Sequence, residues 1–364
     1  MSGGVDSSVA AWLLAREGFD LVGLFMRNGV KVEEAEAPKK SCCSLSDARD
    51  ARMVAAALEI PFHAVDLADE FGTIIDYFVS EYGRGRTPNP CAVCNRDLKM
   101  GRLVEMADEL GAAGVATGHY ARIAVEDGRV RLRRGVDRRK DQSYQLFSVA
   151  EEALARTVLP LGDLEKPRVR ELAARAGLRT SHKDDSQEVC FVPSNDYREL
   201  LARRDVELHP GRIVDTFGNV LGEHAGTEHF TIGQRRGLRI GGGAPLFVVE
   251  LLPEEGVVVV GTRDECRVTG MRVADLNWIG FDPPGPGSGA PGSGGGVSGG
   301  GGELRCEVQH RYHHTPAPAT VTVAGASAEV VFDEPEMAVT PGQGAAFYRE
   351  DLLLGGGWIE SVAR

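Results

Sequence analysis

The sequence predicts an α/β domain built on a parallel sheet, followed by two small β domains. Over the first 200 or so residues, apolar helical stretches alternate with short β-branched runs. Such alternation implies parallel strands joined by crossover helices. From about residue 209 the runs become short, β-branched and punctuated by Gly and Pro, as in small β domains. The boundaries are expected at 1–205, 206–268 and 269–364.

The elements follow in order. Residues 8–18 have a helical pattern ending in Gly18, and residues 21–26 read as a strand. Residues 47–58 are Ala-rich and helical, and 62–65 are strand-like. An amphipathic helix over 95–110 precedes a strand at 114–117. Strands are expected at 212–215, 246–252, 257–260, 319–323 and 329–332. Residues 283–302 are almost entirely Gly, Ser and Pro. They read as an insertion inside the last domain, because about 60 residues are few for a separate barrel.

Hydrophobic residues are 42% of the chain and charged residues 26%, so a core can form and a wholly disordered chain is excluded. No window approaches the roughly 20 apolar residues of a membrane span. The opening MSGGVDSS has neither a basic n-region nor an apolar h-region. Seven cysteines are an odd number for a disulfide framework, so reduced cysteines and a cytoplasmic location are expected. The formal charge of −12 excludes global attraction to nucleic acid or membrane. Any polyanion site must be a local patch. Residues 129–140, RVRLRRGVDRRK, supply one, with six Arg and Lys140 against the single acid Asp137.

The first residues form a phosphate-loop candidate. Gly3 and Gly4 permit a tight turn and close approach to an anion, and Ser2, Ser7 and Ser8 add hydroxyl donors. The helix that follows contributes N–H groups and the positive end of its dipole. Asp6 suits a loop that also handles magnesium or a polar substrate edge. The string is neither a Walker loop nor Gly-x-Gly-x-x-Gly. Met26 ends a strand, where an open α/β sheet binds ligands at its carboxyl edge. Gly118 and His119 stand at the end of another strand, which points His119 to a substrate role.

Two cysteine motifs stand out. RTPNPCAVCNRDLK (86–99) holds Cys91 and Cys94, and DSQEVCF (185–191) holds Cys190. Cys94 just before an amphipathic helix, near Arg96 and Lys99, would have a lowered thiol pKa. Half a zinc site, an iron–sulfur cluster on Cys91, Cys94 and Cys190, a redox pair and three buried thiols are the competing readings. A further reading is nucleophilic sulfur chemistry, with one cysteine carrying a persulfide and a second resolving the exchange. Cys42 and Cys43 precede a helix with Ser46 as expected N-cap and read as structural or loop residues. Cys266 and Cys306 read as core.

SGGVDS resembles the pyrophosphate loop of the ATP pyrophosphatases, which cleave ATP to AMP and pyrophosphate while adenylating an oxygen. TPNPCAVCN, ATGHYAR (116–122), KDQSY (140–144), DSQEVCFV (185–192), HFTIGQRRGL (229–238) and VTPGQ (339–343) follow in that order. The ordered set resembles the bacterial tRNA-specific 2-thiouridylases over essentially the whole chain. The resemblance implies a Rossmann-like ATP pyrophosphatase domain, a small central β domain and a C-terminal β-barrel. It implies ATP contacts at Met1, Ser2, Gly3, Gly4, Val5, Asp6, Ser7, Ser8, Met26 and Gly118, with Mg2+ as companion ion. Cys94 matches the nucleophile and Cys190 the persulfide carrier, the two joined transiently as a disulfide. Asn89, Pro90, Cys91 and His119 match contacts to the target base, although relatives often have Asp where Cys91 stands. Lys140, Asp141, Gln142, Arg311, Tyr312 and Gln343 match contacts to the rest of the tRNA.

The implied reaction is ATP-dependent adenylation of the two-position oxygen of the wobble uridine and its replacement by persulfide sulfur. The products are 2-thiouridine, AMP and pyrophosphate. The implied partners are a tRNA with a wobble uridine and a sulfur donor such as a cysteine desulfurase or sulfur-relay protein, with no membrane. No protein-ligated metal and no iron–sulfur cluster is expected. In relatives a strand precedes the glycine loop, so a short β-branched or apolar run is expected upstream of Met1. Three alternatives remain: another ATP pyrophosphatase acting on a small molecule, an iron–sulfur-dependent tRNA thiolase using Cys91, Cys94 and Cys190, and a non-catalytic RNA-binding protein.

Overall fold

The structure is a computed structural model and describes residues 1–29, 45–183, 189–192, 196–204, 206, 208–241, 244–285 and 302–364. Cys42, Cys43, residues 185–188 and most of the Gly-rich insertion lie outside them. Two compact units are present, Met1–Asp76 with Pro90–Leu200, and Tyr77–Asn89 with Leu201–Arg364.

In the first unit, α1 (Val5–Arg16) starts directly after the glycine loop. Its end is a Schellman turn: Gly18 is left-handed at φ +85°, its N–H donates to Ala15, and Phe19 donates to Leu14. β1 (Gly23–Arg27) leads through α2 (Leu45–Ala57) to β2 (Phe62–Asp66), which pairs parallel with it. Helix α2 begins one residue before Ser46, so Ser46 lies within the helix rather than capping it. α3 (Ala68–Gly83) follows, then α4 (Pro90–Cys94), a π-helical stretch (Asn95–Arg102) and α5 (Leu103–Glu109). Pro90 suits the first position of its helix, where the fixed φ helps and the missing N–H is not needed.

β3 (Val115–Ala116) comes next, then the hairpin of β4 (Ala121–Glu126) and β5 (Arg129–Arg134). The hairpin turns on Asp127 and Gly128, both at positive φ, the dipeptide that a tight two-residue turn demands. α6 (Glu151–Ala155), β6 (Thr157–Val158), α7 (Lys166–Arg175) and α8 (Tyr197–Arg203) complete the series. β6 pairs parallel with β3. Among the described residues of this unit the parallel strands therefore form two pairs, β1–β2 and β3–β6. Their core joins Val5, Val9 and Ala10 of α1 to Val169, Leu172 and Ala173 of α7, with Val54, Tyr120, Leu161 and Leu178.

In the second unit, β7 (Gly211–Asp215), β8 (Val220–His224), β9 (Phe247–Leu252) and β10 (Val257–Gly261) form a sheet in the order β8-β7-β10-β9. Only β7–β10 is parallel. Ile213, Phe230, Ile232, Leu238, Val248, Val258 and Val260 fill its core.

Six further strands are β11 (Arg267–Trp278), β12 (Gly302–Gln309), β13 (Ala317–Ala324), β14 (Ser327–Met337), β15 (Gly344–Arg349) and β16 (Leu352–Ala363). They run antiparallel in the order β11-β14-β13-β12-β15-β16, and β11 pairs with β16 to close a barrel. Alternate residues point inward, as Ala317, Ala319, Val321 and Val323 do along β13. Cys266 and Cys306 are buried, and burial pushes the Cys306 thiol up to about 12. Both are inert core residues, as the sequence implies. No helix among the described residues is long and apolar enough to cross a membrane.

The barrel closes on glycine. At Gly355, with φ +146°, a Cβ would stand 2.2 Å from the carbonyl oxygen of Asn277 on β11. Gly355→Ala is expected to destabilise the protein by at least about 1–3 kcal/mol from backbone strain alone. Gly222 has open space around it and an ordinary φ, so Gly222→Ala should stay within about 0.5 kcal/mol. Urea unfolding of the two variants beside the parent checks the contrast.

Candidate active site

The glycine loop is tightly seated. Gly3 has φ +73°, and a Cβ there would lie 2.3 Å from the carbonyl oxygen of Asp47. Gly4 is the extended N-cap of α1 and offers no side chain to cap the helix. The start of α1 thus meets the requirement for an oxyanion site, backbone N–H groups at a positive dipole end. The serines divide by role. Ser2 and Ser7 share a hydroxyl contact of 3.1 Å near the surface. The buried Ser8 hydroxyl donates to the Gly4 carbonyl at 2.7 Å, so it braces the helix rather than adding a donor for a ligand. Val5 lies in the core, and only its backbone can serve the loop.

Asp6 is engaged by two side chains. Its Oδ1 accepts from the Tyr120 hydroxyl at 2.7 Å, and the Lys166 ammonium donates to both carboxylate oxygens at 2.8 and 2.7 Å. Asp6, which the sequence suggests for magnesium or a polar substrate edge, is thus engaged by a lysine and a tyrosine in this structure. A second lysine, Lys183, donates to the Gly3 carbonyl at 3.0 Å, to Asp50 at 2.9 Å and to Asp47. Burial opposes its charge, but the two carboxylates outweigh that and hold its pKa above the usual lysine value. The loop therefore has two ammonium groups beside it, each held by carboxylates. Sequence reasoning missed both. Lys183 stands two residues before the DSQEVCF motif, and Lys166 opens α7 in a Lys-Pro pair, which were the signals available.

Gly118 packs against α1, since a Cβ would come within 2.8 Å of the Ser7 nitrogen. His119 is 6% exposed, and its Nδ1 lies 2.7 Å from the Thr117 hydroxyl. Burial, and then the positive charge of Lys99, hold its pKa well below the ordinary histidine value. The ring is neutral near pH 7 and able to donate or accept one hydrogen bond. Gln142 is structural on its inner side, with Oε1 accepting from the Tyr120 N–H at 3.1 Å. Asp141 is buried and accepts from Arg134, the Gly135 N–H, and both the N–H and hydroxyl of Ser143. Asp141 thus sets the turn after β5. Met26 is half-buried at the carboxyl end of β1, opposite Val65.

Cys94 is not at a helix N-terminus. It closes α4 in helical geometry, φ −59° and ψ −40°, and the backbone continues into the π-helical stretch. Arg96 is engaged by Asp97 at 2.6 Å. A π-helical stretch next to a candidate nucleophile is itself a feature common at functional sites. Cys94 and Cys190 are half-buried, and Cys91 is exposed.

The remaining candidates fall in different settings. In the second unit, Asn89 is buried. Gln343 donates its side-chain amide to the carbonyls of Thr87 at 3.2 Å and Pro88 at 2.8 Å, so it holds the residues leading into Asn89. Arg311 is exposed, and Tyr312 stacks on His313 with ring centroids 3.9 Å apart. In the first unit the basic run is partly neutralised. Arg129 faces Glu151, Arg131 and Arg133 face Glu126, and Arg134 is 9% exposed on Asp141. Arg138 and Arg139 are exposed and Lys140 is half-buried.

Three family models match successive parts of the chain. The tRNA methyl transferase HUP domain matches residues 1–194, the tRNA methyl transferase PRC-barrel domain residues 199–262, and the Aminomethyltransferase beta-barrel domain residues 268–359. The tRNA-specific 2-thiouridylase MnmA of Geobacter metallireducens is 47% identical over 369 residues, covering 100% of this chain and 96% of that one. That of Carboxydothermus hydrogenoformans is 45% identical over 366 residues, 99% and 96% of the two chains. That of Clostridium perfringens is 42% identical over 365 residues, 100% and 97%. Among solved structures, the U34-tRNA thiolase NcsA from Methanococcus maripaludis with its 4Fe-4S cluster matches 57% of this chain and 65% of its own, at 20% identity and a TM-score of 0.33.

The state of His119 has a measurable consequence. Its folded pKa lies below the unfolded value of about 6.5, so the unfolded chain binds the extra proton first. The contribution is fully present above about pH 6.5 and is lost as pH falls toward the folded pKa, at up to about 1.4 kcal/mol per pH unit. Relative to His119→Asn, the parent should lose more stability between about pH 6.5 and 5 and the same amount above it. Urea midpoints across that range check this, and parallel curves would refute it.

Proposed function

The chain belongs to the family of tRNA-specific 2-thiouridylases, and from that premise we propose that it thiolates the wobble uridine at the expense of ATP in the cytoplasm. The observation that carries the reading is the glycine loop at the start of α1, flanked by Lys166 and Lys183, with two half-buried cysteines in the same unit. In this reading residues 1–205 carry the chemistry, and the β domains at 206–268 and 269–364 hold RNA.

The triphosphate lies on Ser2, Gly3, Gly4 and the first N–H groups of α1, with Met26 and Gly118 bordering the nucleotide. Magnesium travels with the phosphates, because Asp6, Asp47 and Asp50 already hold lysines. The two-position oxygen of the uridine attacks the α-phosphorus and pyrophosphate leaves. The neutral His119, with Asn89, Pro90 and Cys91, borders the base, which must leave its stack to be reached. Cys190 bears a persulfide received from a sulfur donor such as a cysteine desulfurase or relay protein. Its terminal sulfur attacks the activated carbon and AMP departs. The Cys94 thiolate then attacks the Cys190 sulfur, the persulfide bond breaks, and the thiocarbonyl is released. The resulting Cys94–Cys190 disulfide is returned to two thiols by a thiol reductant.

Mass spectrometry of tRNA nucleosides, after incubation with ATP, a cysteine desulfurase and cysteine, should show 2-thiouridine at the wobble position. Cys94→Ser and Cys190→Ser should each abolish it, at least 10³-fold in rate. Cys190→Ser should still release pyrophosphate in the presence of tRNA, since oxygen activation needs no persulfide. Full sulfur transfer by Cys190→Ser would overturn the assignment.

The exposed pair Arg138 and Arg139 gives a separate test of RNA binding. The double variant Arg138→Glu and Arg139→Glu should weaken tRNA binding and flatten its salt dependence by about 0.7–0.9 in slope per lost phosphate contact, with ATP binding unchanged. Arg134 is unsuitable for this purpose because it is buried against Asp141. An unaltered slope would make the run a solvated face.

A further inference from the structure

The C-terminal barrel contains a cluster that the thiolation chemistry does not use. His310 directly follows β12, His314 stands in the connection to β13, and Glu336 is the next-to-last residue of β14. The Nε2 atoms of both histidines lie 3.6 Å from the same carboxylate oxygen of Glu336. One ligand atom from each residue falls within 4.8 Å of the others. The two imidazoles pack with centroids 4.1 Å apart, and Phe332 covers the His310 ring edge-on at 6.0 Å.

Two features distinguish this cluster from an ordinary ion pair. His310 is 1% exposed, yet neither of its ring nitrogens has a hydrogen-bond partner, and Nδ1 of His314 lacks one as well. Buried polar atoms are nearly always satisfied, and an orphaned nitrogen of this kind calls for a bound water or ion. The spacing also fits a metal. With bonds of about 2.0–2.1 Å, neighbouring ligands of a tetrahedral ion stand about 3.3–3.4 Å apart, so the 3.6 Å contacts need to close by only a few tenths of an ångström.

We propose that His310, His314 and Glu336 bind one divalent transition-metal ion, with zinc the best match, which fastens the β12–β13 connection to strand β14. Two imidazoles and one carboxylate suit zinc, cobalt or iron(II) rather than the oxygen-loving magnesium and calcium. Three protein ligands leave a fourth position for water. The fastened connection carries Arg311 and Tyr312, so the ion would stiffen a segment exposed on the barrel. The site does not depend on how those two residues are used.

The full chain, stripped with a chelator and with its accessible thiols alkylated, is titrated with cobalt(II) and then with zinc. One equivalent of cobalt should give the visible absorption of a four-coordinate ion without a thiolate charge-transfer band, and zinc should displace it. Zinc should raise the melting temperature of the parent. Glu336→Gln and His314→Gln should each weaken binding at least tenfold and remove the zinc-induced stabilisation, with folding verified by circular dichroism. X-ray absorption of the parent, showing nitrogen and oxygen ligands only, tests the site without any variant. No uptake by the alkylated chain, sulfur ligation, or equal affinity in both variants would reduce the cluster to a buried ion pair and overturn the proposal.

Discussion

The carboxylate of Asp6 is the point on which the phosphate loop depends. It lies in the first turn of α1 and accepts from Tyr120, 114 residues away, and from Lys166, 160 residues away. Lys166 is buried, and a buried ammonium is tolerable only when it is paired and hydrogen-bonded. The pairing works in both directions: the lysine needs the acid, and the acid fixes where the helix begins relative to α7 and the end of β3. Gly118 completes the junction, because any side chain there would strike the backbone of Asp6 and Ser7. Removing one partner would leave the other charge uncompensated, which costs several kcal/mol, on the order of 3–5.

That arrangement brings two ammonium groups to a loop with no basic residue in its own sequence. The helix dipole supplies part of the field, and Lys183 supplies more from a position 180 residues along the chain from Gly3. Its two carboxylate partners keep the ammonium charged despite burial. Both ammonium groups thus stand beside the loop in a chain of net charge −12. The arginine-rich run shows the same economy of charge. Four of its arginines meet Glu126, Glu151 or Asp141 within the unit, and the exposed charge is concentrated at Arg138 and Arg139.

The segment that holds the first cysteine is shaped by constraint rather than by dipole. Pro90 sets the start of α4, and the change to π-helical geometry after Cys94 alters which side chains line up along the helix. In the second unit, Gln343 secures the carbonyls of Thr87 and Pro88, and Gly342 comes close enough that a Cβ would sit 2.7 Å from the Thr87 oxygen. The VTPGQ motif is thus a clamp on backbone, which requires Gly for approach and Gln for its two amide donors.

Much of the architecture was legible in the sequence because it rests on local periodicity. The helix–strand alternation gave the α/β unit, and the short β-branched runs gave strands at 212–215, 257–260 and 319–323 close to their observed ends. The order of short motifs identified the family, because each motif is a run of adjacent residues. What the sequence could not supply was who meets whom across long separations. Lys166 and Lys183 are ordinary lysines in sequence and become loop residues only through contacts 160 and 180 residues away. The partners of Asp6 and Asp141 are likewise set by the fold, Lys166 for the one and a turn after β5 for the other, and His310 and His314 meet Glu336 only because the barrel brings the end of β14 to the end of β12, with β13 between them in the sheet. Period and motif are properties of neighbours along the chain, whereas charge pairing is decided by distance in space, and only the folded backbone sets that distance.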